Sequence, residues 1–175
     1  RLWKGRKLWK PVPLFLLALP VGFFFPQALG SGHALLNEIT LSAAIGLLLL
    51  LLVVKFLFSL LSFASGAPGG IFFPLLVMGA LIGAVFGLIA IRGLGVDEGL
   101  FFSFVCLSMT GFFSAIVRAP ITGILLLTEM TGSFAHLLPF ALVSMTAYIV
   151  ANAMKNPPVY DALLEAMLRR SEENA

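Results

Sequence analysis

The residues best suited to chemistry form a glycine- and proline-rich break, SGAPGGIFFP, at positions 65–74. Long apolar runs flank this break on both sides. Such a break cannot face lipid, because unpaired backbone N–H and C=O groups are costly in hydrocarbon. It must be buried in protein or line a wet cavity. In a cavity, a helix that restarts at mid-membrane directs free N–H groups and its positive dipole end inward, which suits an anion.

The composition of the break fits close approach of an ion to the backbone. Gly69 and Gly70 have no Cβ, so the main chain can come near a ligand. Pro74 is expected in the first turn of the following helix, where its missing N–H is no loss. The same residues could instead form a structural joint between two packed helices. The residues alone leave both interpretations open.

Three charged residues interrupt apolar sequence and are therefore functional candidates. Arg118 and Glu129 are eleven positions apart, which is roughly 16 Å along a continuous helix, so they would not pair there. We expect Arg118 at an inner-surface turn beside Pro120, and Glu129 as a cap or as a partner of another part of the protein. Lys55 lies within a full span and is expected to snorkel or to pair.

No metal or cofactor site is indicated by the remaining polar residues. His33 and Glu38 are five positions apart, so they share a helix face poorly, and a metal site there is disfavoured. The single cysteine, Cys106, cannot make an internal disulfide.

The overall composition is that of an integral membrane protein. The chain has 175 residues, of which 60% are hydrophobic and 11% charged, whereas soluble domains average about 25% charged residues. The apolar segments lack the alternation of membrane β-strands, so an all-α fold is predicted. The net charge of +3 is concentrated at the N-terminus, where it concerns membrane orientation rather than a nucleic-acid partner.

Three regions are predicted along the chain. Residues 1–10 carry five basic side chains and are expected to form a cytoplasmic loop under the positive-inside rule. Residues 11–157 form a membrane helical domain. Residues 158–175 form a C-terminal helix that starts at the membrane and ends in the cytoplasm. Because the sequence opens without a methionine, we expect it to begin within a longer protein.

The helical domain combines complete and incomplete spans. The broken pattern is typical of transporters and channels whose helices stop partway. Within the third span, Gly79, Gly83 and Gly87 lie on one face, which favours close helix packing. A complete span is predicted at 40–64 and another span at 134–154, with further apolar segments at 71–91 and 100–117 and shorter segments at 11–29, 33–39 and 121–130.

Three motifs together resemble the CLC family of chloride channels and proton-coupled chloride antiporters. GIFFP at 70–74 matches the GxFxP signature of that family. AIVRAPITG at 115–123, followed by EMT at 129–131, is similar to a later block. NPPVY at 156–160 fits the start of the final helix, which begins near a tyrosine. The blocks occur in the family's order and resemble the second half of a short, prokaryote-like member.

The resemblance implies a polytopic fold of two inverted halves, a homodimer, and one anion pathway per subunit. By carry-over, the backbone N–H groups of Ile71 and Phe72 and the hydroxyl of Tyr160 bind chloride, and Gly69, Gly70, Phe73 and Pro74 support that backbone. Dipoles of this kind attract an ion without trapping it. From its residue type alone, Tyr160 would be an interfacial aromatic anchor.

The resemblance also indicates what lies outside this sequence. The serine and glutamate motifs that gate the pathway belong to the first half of the family's fold, so the choice between channel and antiporter depends on that half. The implied partners are the N-terminal half of the same protein, chloride, protons and the lipid bilayer, with the plasma membrane as default location. No cofactor is implied, and chloride is the transported ion.

Other function classes compete with anion transport as explanations of the broken helices. A cation-coupled solute carrier would also use broken helices, but the polar residues Asn37, Glu38 and Asn152 are scattered. A non-transporting assembly subunit would need only the glycine face. An enzyme is disfavoured, because the sequence has no His-Glu pair at i, i+4, no nucleophile elbow and no phosphate-binding lysine loop.

Overall fold

The chain is helical throughout the part that the structure describes. The structure is a computed structural model that describes residues 12–65 and 70–172, and it shows no β-strand in those two ranges. Four short 3₁₀ helices connect the longer elements, at Pro26–Ala28, His33–Glu38, Glu98–Leu100 and Phe134–His136. The α-helices are α1 Val12–Phe24, α2 Ile45–Ser65, α3 Phe72–Leu94, α4 Phe101–Val117, α5 Pro120–Thr131, α6 Leu137–Ala153 and α7 Val159–Glu172.

Four helical segments in the described residues are long and apolar enough to cross a membrane. They are Ile45–Ser62, Phe72–Leu94, Glu98–Val117 and Phe134–Ala153. The spans predicted near 40–64 and 134–154 are thereby confirmed, and the segments predicted at 71–91 and 100–117 are also long enough to be spans. The predicted short segments also stay short: α1 has 13 residues with Pro20 inside it, and α5 has 12 residues.

One predicted boundary is wrong, since the span expected at 40–64 begins only at Ile45. The residues before it form a hydrogen-bonded turn. The Ala43 N–H donates to the Thr40 carbonyl at 3.1 Å, and the hydroxyls of Thr40 and Ser42 lie 3.2 Å apart. Short polar side chains of this type favour local turn bonds over helix continuation, so α2 starts after them.

The described structure divides into two compact units, Arg1–Val105 and Cys106–Ala175. Helix α4 begins in the first unit and ends in the second. In the first unit, α3 packs against α2 and against the 3₁₀ helix His33–Glu38. In the second unit, α5 packs against α6.

Within the first unit, α3 supplies most of the buried side chains, including Leu76, Leu81 and Leu88. The predicted packing role of the glycine face is confirmed at Gly87. A Cβ built there would lie 3.2 Å from the Cβ of Phe104, so only a glycine lets α4 come this close.

The second unit is tied together by polar contacts within apolar surroundings. The Ser144 hydroxyl donates to the Pro120 carbonyl at 2.9 Å. Its oxygen lies 2.5 Å from the Ser114 hydroxyl, which therefore acts as the donor of that pair. Three helices, α4, α5 and α6, are joined by these two bonds.

Arg118 lies at a turn beside Pro120, as expected from the sequence, and its side chain binds backbone carbonyls. It stands between α4 and α5 with a φ of 63°. Its guanidinium donates to the carbonyls of Tyr148 at 3.1 Å and Asn156 at 3.1 Å, and also to that of Ala151. The last carbonyls of a helix lack partners within the helix, so Arg118 caps the C-terminal end of α6.

Candidate functional site

The break between α2 and α3 lies where the sequence placed it. Helix α2 ends at Ser65 and α3 begins at Phe72. Residues 66–69, including the predicted support residue Gly69, lie outside the described residues. Gly70 is exposed and precedes Ile71, which is the N-cap residue of α3.

The first turn of α3 is built as predicted. Its first main-chain bond runs from the Leu75 N–H to the Ile71 carbonyl at 3.2 Å. Pro74 is the third helical residue, where no intrahelical acceptor exists for an N–H, so its prediction is confirmed. The turn contains no acidic residue, and the N-cap has no side-chain cap bond. The positive end of the α3 dipole is therefore not neutralised by a carboxylate of its own first turn.

This helix terminus borders a cavity of about 450 Å³ within the first unit. Three stretches of chain form its walls: the loop before the 3₁₀ helix, the C-terminal half of α2, and the start of α3. Its polar side chains are all hydroxyls. The lining residues are Gly30, Ser31, Phe58, Ser59, Ser62, Gly70, Phe72, Phe73 and Pro74.

Three polar residues lie on one face of α2, and two of them, Ser59 and Ser62, line this cavity. Lys55, Ser59 and Ser62 occupy positions i, i+4 and i+7, which lie on one helix face. Sequence reasoning treated Lys55 alone and missed the two serines. The signal was available, because three polar residues at helical spacing in an otherwise apolar span are a pattern of their own.

Lys55 is the residue of this row nearest the N-terminus of α2. Its side chain is only 1% exposed, and its Nζ donates to the Gly30 carbonyl at 2.8 Å. The snorkelling alternative is therefore wrong, and the pairing alternative is confirmed. Gly30 itself lines the cavity, so the lysine lies directly behind the cavity wall.

An aromatic contact fixes another wall. The rings of His33 and Phe73 are stacked, with centroids 5.5 Å apart and planes 13° from parallel.

The carboxylate of Glu38 accepts a hydrogen bond from the Gln27 side-chain amide at 3.3 Å. In residues 12–65 and 70–172, histidine, cysteine and carboxylate side chains form no group of three or more.

Tyr160 is the second residue of α7, and its side chain is half-exposed at 50%. It belongs to the second unit, whereas Ile71 and Phe72 belong to the first. A joint chloride site of these three residues stays a prediction.

Comparisons with known proteins identify the family of this chain. The family described as voltage gated chloride channel matches residues 1–152. An H(+)/Cl(-) exchange transporter, ClcA, of Vibrio cholerae serotype O1 is 41% identical over 153 residues, covering 85% of this chain and 32% of the relative. ClcA of Yersinia pestis bv. Antiqua is 38% identical over 165 residues, covering 90% of this chain and 32% of the relative.

A solved structure is similar as well. The crystal structure of a slow cyanobacterial Cl-/H+ antiporter matches with a TM-score of 0.73 and 29% identity, over 82% of this chain and 34% of the other. The chain spans about a third of the length of these relatives. Its spans and its relatives make it an integral, multi-pass membrane protein, and the extent of the family match shows that the chain belongs to the voltage gated chloride channel, or CLC, family.

Proposed function

We propose that the protein transports chloride across the membrane in exchange for protons, and that this chain forms one wall of the anion pathway. The named relatives are H(+)/Cl(-) exchange transporters, and the similar crystal structure is that of a Cl-/H+ antiporter. These names favour antiport over a chloride channel, which is the second candidate because of the family description.

One observation carries this proposal. The N-terminus of α3 borders a cavity whose polar side chains are hydroxyls. The positive end of a helix dipole favours an anion. The cavity lies at the junction of two segments that are long and apolar enough to cross a membrane, Ile45–Ser62 and Phe72–Leu94.

The proposed ligands are the backbone N–H groups of Ile71 and Phe72 and the hydroxyl of Tyr160. Gly70 and Phe73 keep the main chain of α3 close to the ion, and Pro74 removes one competing N–H from the first turn. Gly69 is assigned the same supporting role from the sequence. Such a site attracts chloride through dipoles and releases it readily, as transport requires.

The proposal also includes the oligomeric state and the location of the protein. The protein works as a homodimer in the plasma membrane, with the ion path completed by the N-terminal half of the same protein. It is a transporter and not an enzyme, and it needs no cofactor. A cation-coupled solute carrier is disfavoured, because the cavity is lined by hydroxyls and not by carboxylates.

Ion flux measurements test the proposal. The full-length protein is reconstituted into chloride-loaded liposomes, and chloride efflux and proton movement are recorded together. Coupled, opposing proton flux is the expected result. Chloride flux without proton flux would identify a channel, and no flux of any halide would overturn the transport proposal.

A further inference from the structure

Arg118 binds the segment that connects α6 to α7, and all of its acceptors belong to the second unit. Its guanidinium donates to the Tyr148 carbonyl at 3.1 Å and also to that of Ala151, both within α6. A third bond of 3.1 Å goes to the carbonyl of Asn156, which lies beyond the end of that helix. One side chain therefore fixes the end of α6 and the following connection to each other.

The connection passes this constraint on to the start of α7, because it is short and stiff. Two prolines follow Asn156, and their rings fix φ at both positions. The carbonyl of the second, Pro158, accepts the Ala162 N–H at 3.0 Å in the first turn of α7. Tyr160 is the second residue of α7, only four positions after Asn156. A shift of the Asn156 carbonyl would therefore move the Tyr160 side chain.

Helix α7 has little other support within the described part of the second unit. No other helix packs extensively against it there, and the side chains of Tyr160, Leu164 and Met167 are at least half-exposed. A helix without extensive packing takes its direction from the segment that leads into it. The bond from Arg118 to that segment is therefore important for where α7 begins.

The backbone of Arg118 is also unusual. Its φ of 63° lies in the left-handed region, which residues other than glycine rarely adopt. A side chain persists there only when surrounding contacts hold it, and such positions cluster at functional sites. The three carbonyl acceptors provide those contacts. A glycine would fit this backbone better, so the arginine is explained by the bonds that its side chain makes.

We infer that Arg118 is a positioning residue for chloride binding, which fixes the connection before α7 and so holds the Tyr160 hydroxyl at the ion. The inference rests on the proposed function, in which that hydroxyl is a ligand. It goes beyond a stabilising role, because a residue that only stabilised the second unit would not change the chloride affinity of the folded protein.

A double-mutant cycle on the full-length protein in detergent tests this role. Arg118→Ala, Tyr160→Phe and the double variant are compared with the wild type by chloride titration calorimetry, at a temperature where thermal unfolding shows all four to be folded. Arg118→Ala should weaken chloride binding about fivefold, as Tyr160→Phe does. The double variant should bind chloride like Tyr160→Phe alone, because the arginine acts through a hydroxyl that is already absent.

Two further variants complete the design. Arg118→Lys keeps the charge but not the planar fork of donors, so it should bind chloride with intermediate affinity, and it replaces Arg118→Ala in the cycle if the alanine variant does not fold. Arg92→Ala is the matched control, because Arg92 donates to the carbonyls of Leu41 and Ala43 at 2.8 and 2.9 Å, in the connection before α2. It should bind chloride like the wild type.

The outcomes separate this inference from the function on which it rests. Wild-type chloride affinity in folded Arg118→Ala, or in Tyr160→Phe, would overturn the positioning role and leave chloride transport standing. Equal losses with and without the Tyr160 hydroxyl would also overturn it, because the charge of Arg118 would then set the affinity. An equal loss in Arg92→Ala would overturn it in the same way. A wild-type protein that binds no halide would instead refute the proposed function.

Discussion

The Nζ of Lys55 and the carbonyl oxygen of Gly30 lie 2.8 Å apart, and this bond joins the middle of α2 to the loop before the 3₁₀ helix His33–Glu38. The loop passes closely over the lysine, since a Cβ at Gly32 would be 2.9 Å from both the Cε and the Nζ of Lys55. One wall of the cavity therefore depends on a buried side chain that does not line the cavity itself.

Lys55→Met should destabilise the protein while nearly preserving side-chain volume. The variant removes the donor to the Gly30 carbonyl, and a hydrogen bond to a charged group contributes about 1.5–3 kcal/mol. Thermal unfolding in detergent measures the effect. The matched control is Lys155→Met, because Lys155 is exposed. Equal unfolding temperatures for the two variants would contradict a structural role of Lys55.

Two glycines of the same loop should respond differently to alanine. Gly30 and Gly32 have φ values of 61° and 85°, and an L-residue in this region costs roughly 1–2 kcal/mol. A Cβ at Gly30 would meet nothing within 4 Å, whereas one at Gly32 would press on Lys55. Gly32→Ala should therefore cost about 1–3 kcal/mol more than Gly30→Ala, measured by thermal unfolding. The reverse order would show that the loop does not hold the lysine.

Arg118 variants should destabilise the second unit in a graded order. Arg118→Ala removes the donors to the carbonyls of Tyr148, Ala151 and Asn156, and we expect a loss of about 3 kcal/mol. Arg118→Lys keeps the charge but cannot reproduce the planar fork of donors, so it should fall between alanine and wild type. Unfolding temperatures of both variants give the order, and a lysine variant as stable as wild type would exclude a role for the fork.

Tyr160→Phe tests the proposed third ligand of the ion. Loss of one hydroxyl donor should weaken chloride binding about fivefold, measured by titration calorimetry on the full-length protein. Tyr160→Ala should weaken halide binding as well and leave the dimer assembled. Tyr148→Phe is the control, because the contact recorded for Tyr148 is made by its carbonyl. Unchanged chloride affinity in both Tyr160 variants would remove this residue from the site.

Much of the architecture follows from local sequence. Runs of about 20 apolar residues are long enough to cross the hydrocarbon core, and the glycines and prolines of 65–74 favour a helix break there. The positions of α3, of the short helix α5 and of Pro74 in a first turn were all predictable for this reason. The start of α2 was misplaced, since the turn at Thr40 and Ser42 is decided by side-chain bonds that hydropathy does not register.

What only the tertiary structure decided is where the polar groups of different segments meet. The sequence shows Lys55 in an apolar span, but its partner, the Gly30 carbonyl, is 25 residues away. Likewise, the sequence does not show that Ser31 and Ser59, which lie 28 residues apart, line one cavity beside the start of α3. Local sequence determines which backbone groups must lack helical partners. Packing between segments far apart in the chain determines which side chains surround them, because those contacts depend on geometry and not on spacing.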